Sequence, residues 1–274
     1  LTVPGRDAAS RRLLQRVSVG LGWLQRHLGP YPYSELTVVD VPGAARGAAA
    51  MEYPTLFTVW TRWWHPAGFH LADETALHEL VHQYFQGIVA SDEVQEPWLD
   101  EGVTTYLSGV MLEEFFGVDR SFIDAGPLRL GWWDRLRLWT TARGSPWAAA
   151  TERPRLALPV GRAASDFRNR WDYAQTVYGR TAALLRTLEG LAGRPALLAA
   201  LGGYAREQAF AHPTGAVLRD WLRRAAPAAR QPIVARLLAG VIDRGEVLDV
   251  GITCDAAGIE VRRRGGLALP LEIV

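Results

Sequence analysis

A chain of 274 residues, 49% hydrophobic and 22% charged, is long enough for one large domain or two modest ones with a sizeable core. A net charge of +1 predicts no electrostatic affinity for nucleic acid or an anionic membrane. No apolar run approaches the roughly 18 residues of a membrane span, and a single cysteine, Cys254, excludes an internal disulfide. All 30 basic residues are arginine. With the many alanines, this reads as the coding bias of a high-G+C genome rather than as arginine-specific chemistry. The first residue is Leu1 rather than methionine, so the sequence reads as an excised piece.

The first predicted element is a helix. Asp7 is a suitable cap, and Leu13, Leu14, Val17, Leu21, Leu24 and Leu28 recur at helical spacing until Gly29-Pro30. Pro30-Tyr31-Pro32-Tyr33 reads as a turn, and Leu36 to Val41 is β-branched enough for a strand. Gly43 to Ala50 is a small-residue loop, and a second strand is expected from Met51 through Trp60. His65 and His70 sit in an aromatic loop, Trp63-Trp64-His65-Pro66, and neither has ligand spacing. Both are expected to pack or to meet solvent.

The next stretch carries the chemistry. Asp73 is expected to cap a helix with Ala76, Leu77, Leu80, Val81, Tyr84 and Phe85 on its apolar face, fading near Gly87. Within it stands His78-Glu79-Leu80-Val81-His82-Gln83. Histidines four apart on a helix lie about 40° apart around the axis and about 6 Å along it. Both imidazoles can meet one metal ion, while Glu79 on the adjacent face can reach a water on that ion. Pro97 opens a second predicted helix that continues to Gly117 and carries Trp98-Leu99-Asp100-Glu101-Gly102. If that helix returns antiparallel beside the first, Glu101 becomes the third ligand. Two histidines, one carboxylate and an open fourth position are the ligand set of a catalytic zinc site, not of a structural one. Asp92, Glu93 and Glu96 in the connecting loop are candidates to hold the second nitrogen of a ligand histidine.

From Gly117 to Ala164 the pattern loosens. Trp132-Trp133, Trp139, Trp147 and several prolines suggest short helices joined by loops. Asp166 to Leu188 becomes helical and carries Tyr173 and Tyr178. Ala196–Leu201, Pro213–Leu222 and Pro232–Ile242 read as three further helices. Val247–Ile252, Gly258–Gly266 and Leu267–Val274 read as strands, the opening of a β-rich part. The expected division is therefore 1–244 for the catalytic domain and 245–274 for the start of a second, β-rich one.

His-Glu-Leu-Val-His-Gln followed by Trp-Leu-Asp-Glu-Gly resembles the zinc aminopeptidases of the aminopeptidase N type, the gluzincins. The resemblance extends upstream to Ala50-Met51-Glu52-Tyr53-Pro54 and downstream to Val177-Tyr178-Gly179-Arg180. It implies that Glu52 matches the glutamate that holds the substrate's free amino group in a Gly-Ala-Met-Glu-Asn segment on a sheet edge. Ala49 stands where that segment has its first glycine, and Tyr53 where it has asparagine. Tyr178 matches the family tyrosine whose hydroxyl faces the reacting oxygen, although the glycine and basic residue after it are shifted. Tyr173 is a second candidate for contact with substrate.

The resemblance implies an α/β (α+β), thermolysin-like zinc peptidase domain: a small mixed sheet, a mainly helical lobe and one zinc per chain in the cleft between them. His78, His82 and Glu101 are the expected ligands, Glu79 the general base and Tyr178 the oxyanion donor. The expected substrates are peptides with a free amino terminus, and further domains of the full-length chain are expected to lie outside this sequence. An endopeptidase or another hydrolase on the same fold is the alternative enzyme, and a peptidase-like binding module the alternative without catalysis.

Overall fold

The computed structural model describes residues 1–61, 70–117, 157–248, 250–255 and 258–267. The aromatic loop with His65, the tryptophans from Trp132 to Trp147 and nearly all of the last expected strand lie outside the described residues. Helix α1 (Asp7–Leu28) buries Leu13, Val17, Gly20, Trp23, Leu24 and Leu28 at steps of three and four. Asp7 is its first residue rather than its cap, where its charge meets the positive end of the helix dipole. Gly29, at φ +122°, ends it.

Strand β1 (Thr37–Asp40) pairs parallel with β2 (Leu56–Val59), Thr37 opposite Leu56 and Asp40 opposite Val59. The second strand was expected to run unbroken from Met51. Instead the chain doubles back: Met51 bridges antiparallel to Thr58, and a turn at Tyr53-Pro54-Thr55 separates the two. Pro54 cannot donate to a ladder, and Thr55 sits at φ +60°, outside strand geometry. The sheet is therefore small and mixed, with Glu52 on its edge.

Helix α2 (Leu71–Val81) starts behind His70, whose Nδ1 lies 2.9 Å from Asp73 Oδ2. Asp73 thus closes the first turn from inside it. The helix stops sooner than expected, because Gln86 at φ +112° and Gly87 take the chain into tight turns directly after His82. Pro97–Leu99 make a short 3₁₀ turn, and α3 (Glu101–Phe116) begins at Glu101. Eleven of its sixteen residues are buried, so α3 is apolar on nearly every side and runs through the middle of the lobe.

Asn169 caps α4 (Arg170–Ala174) by accepting from the Asp172 amide at 2.9 Å. The helix continues through a π-helical turn, Gln175–Arg180, into α5 (Thr181–Ala192). Helices α6 (Arg194–Glu207), α7 (Gly215–Ala225) and α8 (Gln231–Leu238) follow, and β3 (Val250–Asp255) pairs antiparallel with β4 (Gly258–Arg263). One core links α1 to α2 and α6, and α3 to α2 and α5. Among the described residues no helix is long and apolar enough to cross a membrane.

Gly102 marks the closest approach of α3 to α5. A β-carbon there would overlap Thr181 Cβ and Cγ2 and stand 2.8 Å from its hydroxyl. Gly102→Ala is therefore expected to destabilise the fold by about 1–3 kcal/mol, the usual cost of overpacking. Calorimetry should show a lower melting temperature, and an unchanged one would mean that the two helices part freely.

Candidate metal centre and cleft

Two helix ends face each other to make the site. His78 lies in the last turn of α2, His82 directly follows it, and Glu101 opens α3. Glu101 Oε2 stands 3.2 Å from His78 Nε2 and 3.2 Å from His82 Nε2. The ligand atoms of all three residues lie within 4.8 Å of one another. Glu101 also receives the N-terminal dipole of α3, which favours a carboxylate there.

The partner of His82 is one that the sequence did not single out. His82 Nδ1 lies 2.6 Å from Asp100 Oδ1, with Phe85 carbonyl at 3.2 Å and Thr104 hydroxyl at 3.4 Å. Both side chains of that pair are buried, so the ring is held in one orientation with Nε2 turned to Glu101. The acidic loop residues do other work. Asp92 accepts the amides of Val94 and Gln95, and Glu96 accepts that of Gly215. Glu93 bonds Gln86. The signal that would have found Asp100 is its place directly before Glu101, at the foot of a helix starting beside the histidines.

Glu79 is buried, and its Oε2 has no hydrogen-bond partner. Burial raises its pKa to about 8, with the carboxylates of Glu52, Glu101 and Asp100 adding to the rise against His82. Burial alone would depress His82, but Asp100 and Glu101 outweigh it and lift its pKa well above the ordinary value. Burial likewise opposes ionisation of Glu101, but its bonds to His78 and His82 win and hold it in the charged form. Four carboxylates thus converge on two imidazoles: Glu52 lies within 4.8 Å of Glu79 and His82, and within 4.8 Å of Asp100 and Glu101. The site has the donors and the negative charge that a divalent cation requires.

Tyr178 projects from the π-helical turn. Its hydroxyl donates to Glu101 Oε1, and its ring stacks on His78 with centroids 5.9 Å apart. Such widened turns recur at functional sites, because the extra residue redirects one side chain. Tyr173 packs edge-on against Tyr178 at 6.1 Å and against Phe167 at 5.3 Å. Burial, then the charges of Glu101, Asp100, Glu93 and Glu52, push the Tyr173 hydroxyl up to about 12. These rings line a cleft of about 500 Å3 together with Ala164, Asn169, Arg170 and Ala174. All seven residues singled out as site candidates therefore meet in one place. The structure also adds Asp100.

Comparison with known proteins follows the same outline. The Peptidase family M1 domain matches residues 21–236. A mutant M1 zinc metallopeptidase from Deinococcus radiodurans, solved with a Tyr-Ser-Ala substrate, superposes with a TM-score of 0.57 at 23% identity. That match covers 89% of this chain and 45% of the other. Native yeast LTA4 hydrolase gives 0.59 at 17% identity, over 83% of this chain and 34% of the other. At these identities the likeness is one of fold. Aminopeptidase M1-C of Oryza sativa subsp. japonica is 30% identical over 92 residues, 32% of this chain and 10% of the rice protein. The chain spans less than half of each of these relatives.

Proposed function

The chain belongs to peptidase family M1, and from that premise we propose that it is the catalytic part of a zinc-dependent aminopeptidase. The observation that carries the amino-terminal part of this reading is the place of Glu52, within 4.8 Å of Glu79 and His82. In an amino-terminal residue only two bonds, of about 1.46 and 1.52 Å, separate the ammonium nitrogen from the carbonyl carbon under attack. An anchor for that ammonium must therefore sit beside the catalytic groups, as Glu52 does. A substrate whose chain continued past this point would set an uncharged amide against a carboxylate. That arrangement disfavours cleavage within a chain.

His78, His82 and Glu101 would hold the zinc, and their side chains fit it. Their donor atoms converge, and Asp100 on Nδ1 of His82 leaves Nε2 facing the centre. Bound there, zinc supplies Lewis acidity to the scissile carbonyl and to the attacking water. Glu79, outside the ligand set and with an unused oxygen, takes the proton of that water and delivers it to the leaving amine. Tyr178 turns its hydroxyl from Glu101 to the oxygen on which negative charge develops. Tyr173, Phe167 and their neighbours form the wall along which the substrate lies. The peptide seen with the bacterial relative agrees with a peptide substrate here.

Three outcomes follow for the full-length protein. Glu79→Gln should keep its zinc by metal analysis yet lose about 10²- to 10⁴-fold in turnover of aminoacyl chromogenic amides; full activity would remove Glu79 from the mechanism. Asp100→Ala leaves His82 loosely held, and zinc affinity measured against a competing chelator should fall about 10- to 100-fold. Glu52→Ala should erase most of the preference for free amines over N-acetylated substrates. Burying a charge whose partner is missing typically costs about 3–5 kcal/mol, enough to set that preference at orders of magnitude. If the unaltered protein cleaves both substrates equally fast, the endopeptidase alternative takes the place of this reading.

A further inference from the structure

We propose that Gln83 is a positioning residue for the amino end of the substrate, its amide clamping the turn that carries Glu52 to the metal-bearing segment. The inference rests on the amine-binding reading of Glu52 given above. Gln83 directly follows His82 and is 1% exposed. Its Oε1 accepts the Thr55 amide at 2.9 Å and the Tyr31 hydroxyl at 3.2 Å, and its Nε2 donates to the Tyr53 carbonyl at 3.1 Å. The orientation of the amide is unambiguous, because a backbone N–H can only donate and a carbonyl can only accept.

Two of these bonds land on Tyr53 and Thr55, the residues that bracket Pro54, and Tyr53 directly follows Glu52. On the other side of Glu52, Met51 is tied to β2 by the Thr58 amide at 3.0 Å, and the Ala50 amide reaches the Thr58 carbonyl at 2.9 Å. Glu52 is thus suspended between one anchor in the sheet and another on the segment that carries His82. The turn needs such an anchor. Ala50 at φ +58° and Thr55 at φ +60° are non-glycine residues in the left-handed region, a conformation that persists only when its surroundings impose it.

The clamp asks for one acceptor and one donor in a single planar head, at the reach of a two-carbon stem. Glutamine supplies that. Glutamate at neutral pH has no donor for the Tyr53 carbonyl, and asparagine is one carbon shorter. The arrangement also accounts for Tyr53, which stands where the family segment has asparagine. The clamp grips residue 53 by its backbone and leaves its side chain 54% exposed, so the turn holds its shape whatever that side chain is.

The test compares Gln83→Met, close to glutamine in volume but without either amide function, with the unaltered zinc-loaded protein. Backbone hydrogen–deuterium exchange is followed over residues 50–58, and kcat and KM over an alanyl chromogenic amide and its N-acetyl form. The expected result is exchange of the Thr55 amide accelerated by about tenfold, the worth of one or two hydrogen bonds. KM for the free amine should rise by a similar factor while kcat changes far less and zinc content is retained. Tyr31→Phe removes only the 3.2 Å bond and should shift both readouts in the same direction by less; it decides the matter if Gln83→Met does not fold. Unchanged exchange at Thr55 overturns the clamp. Faster exchange with an unmoved KM, where Glu52→Ala does raise it, overturns the positioning role. If Glu52→Ala leaves KM unmoved as well, the amine-binding reading has failed and the inference falls with it.

Discussion

The contact on which the architecture turns is a single carboxylate oxygen, Glu101 Oε2, 3.2 Å from two imidazole nitrogens. It joins the end of α2 to the start of α3, two segments eighteen residues apart in the chain. Neither helix could hold it alone. The negative end of a helix dipole lies near His78 and His82, and the positive end of another lies at Glu101. Four carboxyl groups crowd two imidazoles here. Burial and the mutual repulsion of their ionised forms raise the pKa of Glu79, while Asp100 and Glu101, against burial, raise that of His82. A divalent ion relieves that repulsion.

The rest of the lobe keeps these ends in register. At the far end of α3, buried Glu113 binds Arg186 of α5 and Arg194 of α6, the latter at 2.6 Å. Glu189 of α5 accepts from Arg194 at 2.8 Å, Arg186 at 3.0 Å and the Tyr106 hydroxyl at 2.9 Å. Each arginine bonds both carboxylates and each carboxylate both arginines, so the set is cross-braced around buried Glu113. The network therefore fixes α5 against α3, and Gly102 against Thr181 fixes them again beside the site. Tyr178 belongs to the turn that leads into α5, so its distance from Glu101 is set by these contacts. Packing remote from the chemistry positions the hydroxyl.

Much of this was legible in the sequence, and the parts that were not share a cause. Apolar steps of three and four located α1 and α2, because burial of a helix face leaves a periodic trace, while α3, apolar on nearly every side, was bounded instead by Pro97 and Gly117. The spacing of His78, Glu79 and His82 was readable for the same reason, since a helix converts separation in sequence into direction in space, whereas Glu101, across a loop, was legible through the resemblance of Trp-Leu-Asp-Glu-Gly to the family segment. Asp100 left no such trace. The loop carboxylates Asp92, Glu93 and Glu96 seemed equally able to reach a histidine, and only the actual path of the loop separates them from the residue at the foot of α3. The hairpin between Met51 and Thr58 escaped likewise, since its β-branched and aromatic residues suit one long strand and its turn has no Asn-Gly or Gly-Gly to announce it.

That turn and the metal segment make one device, and the order of residues along the chain shows how. Successive positions on a helix point about 100° apart. Glu79 and His82 face Glu52, Leu80 and Val81 enter the core, and Gln83, in the turn that follows the helix, reaches the sheet. A single stretch of six residues thus presents histidine nitrogens, a buried carboxyl oxygen without a partner, two core anchors and a side-chain amide bonded to the sheet edge. Displacing α2 would move all of them together, so the distance from Glu52 to the histidines is preserved under small movements of the lobe. In the amino-terminal reaction proposed above that distance carries the selection, because the spacing from backbone nitrogen to carbonyl carbon is the same in every amino acid.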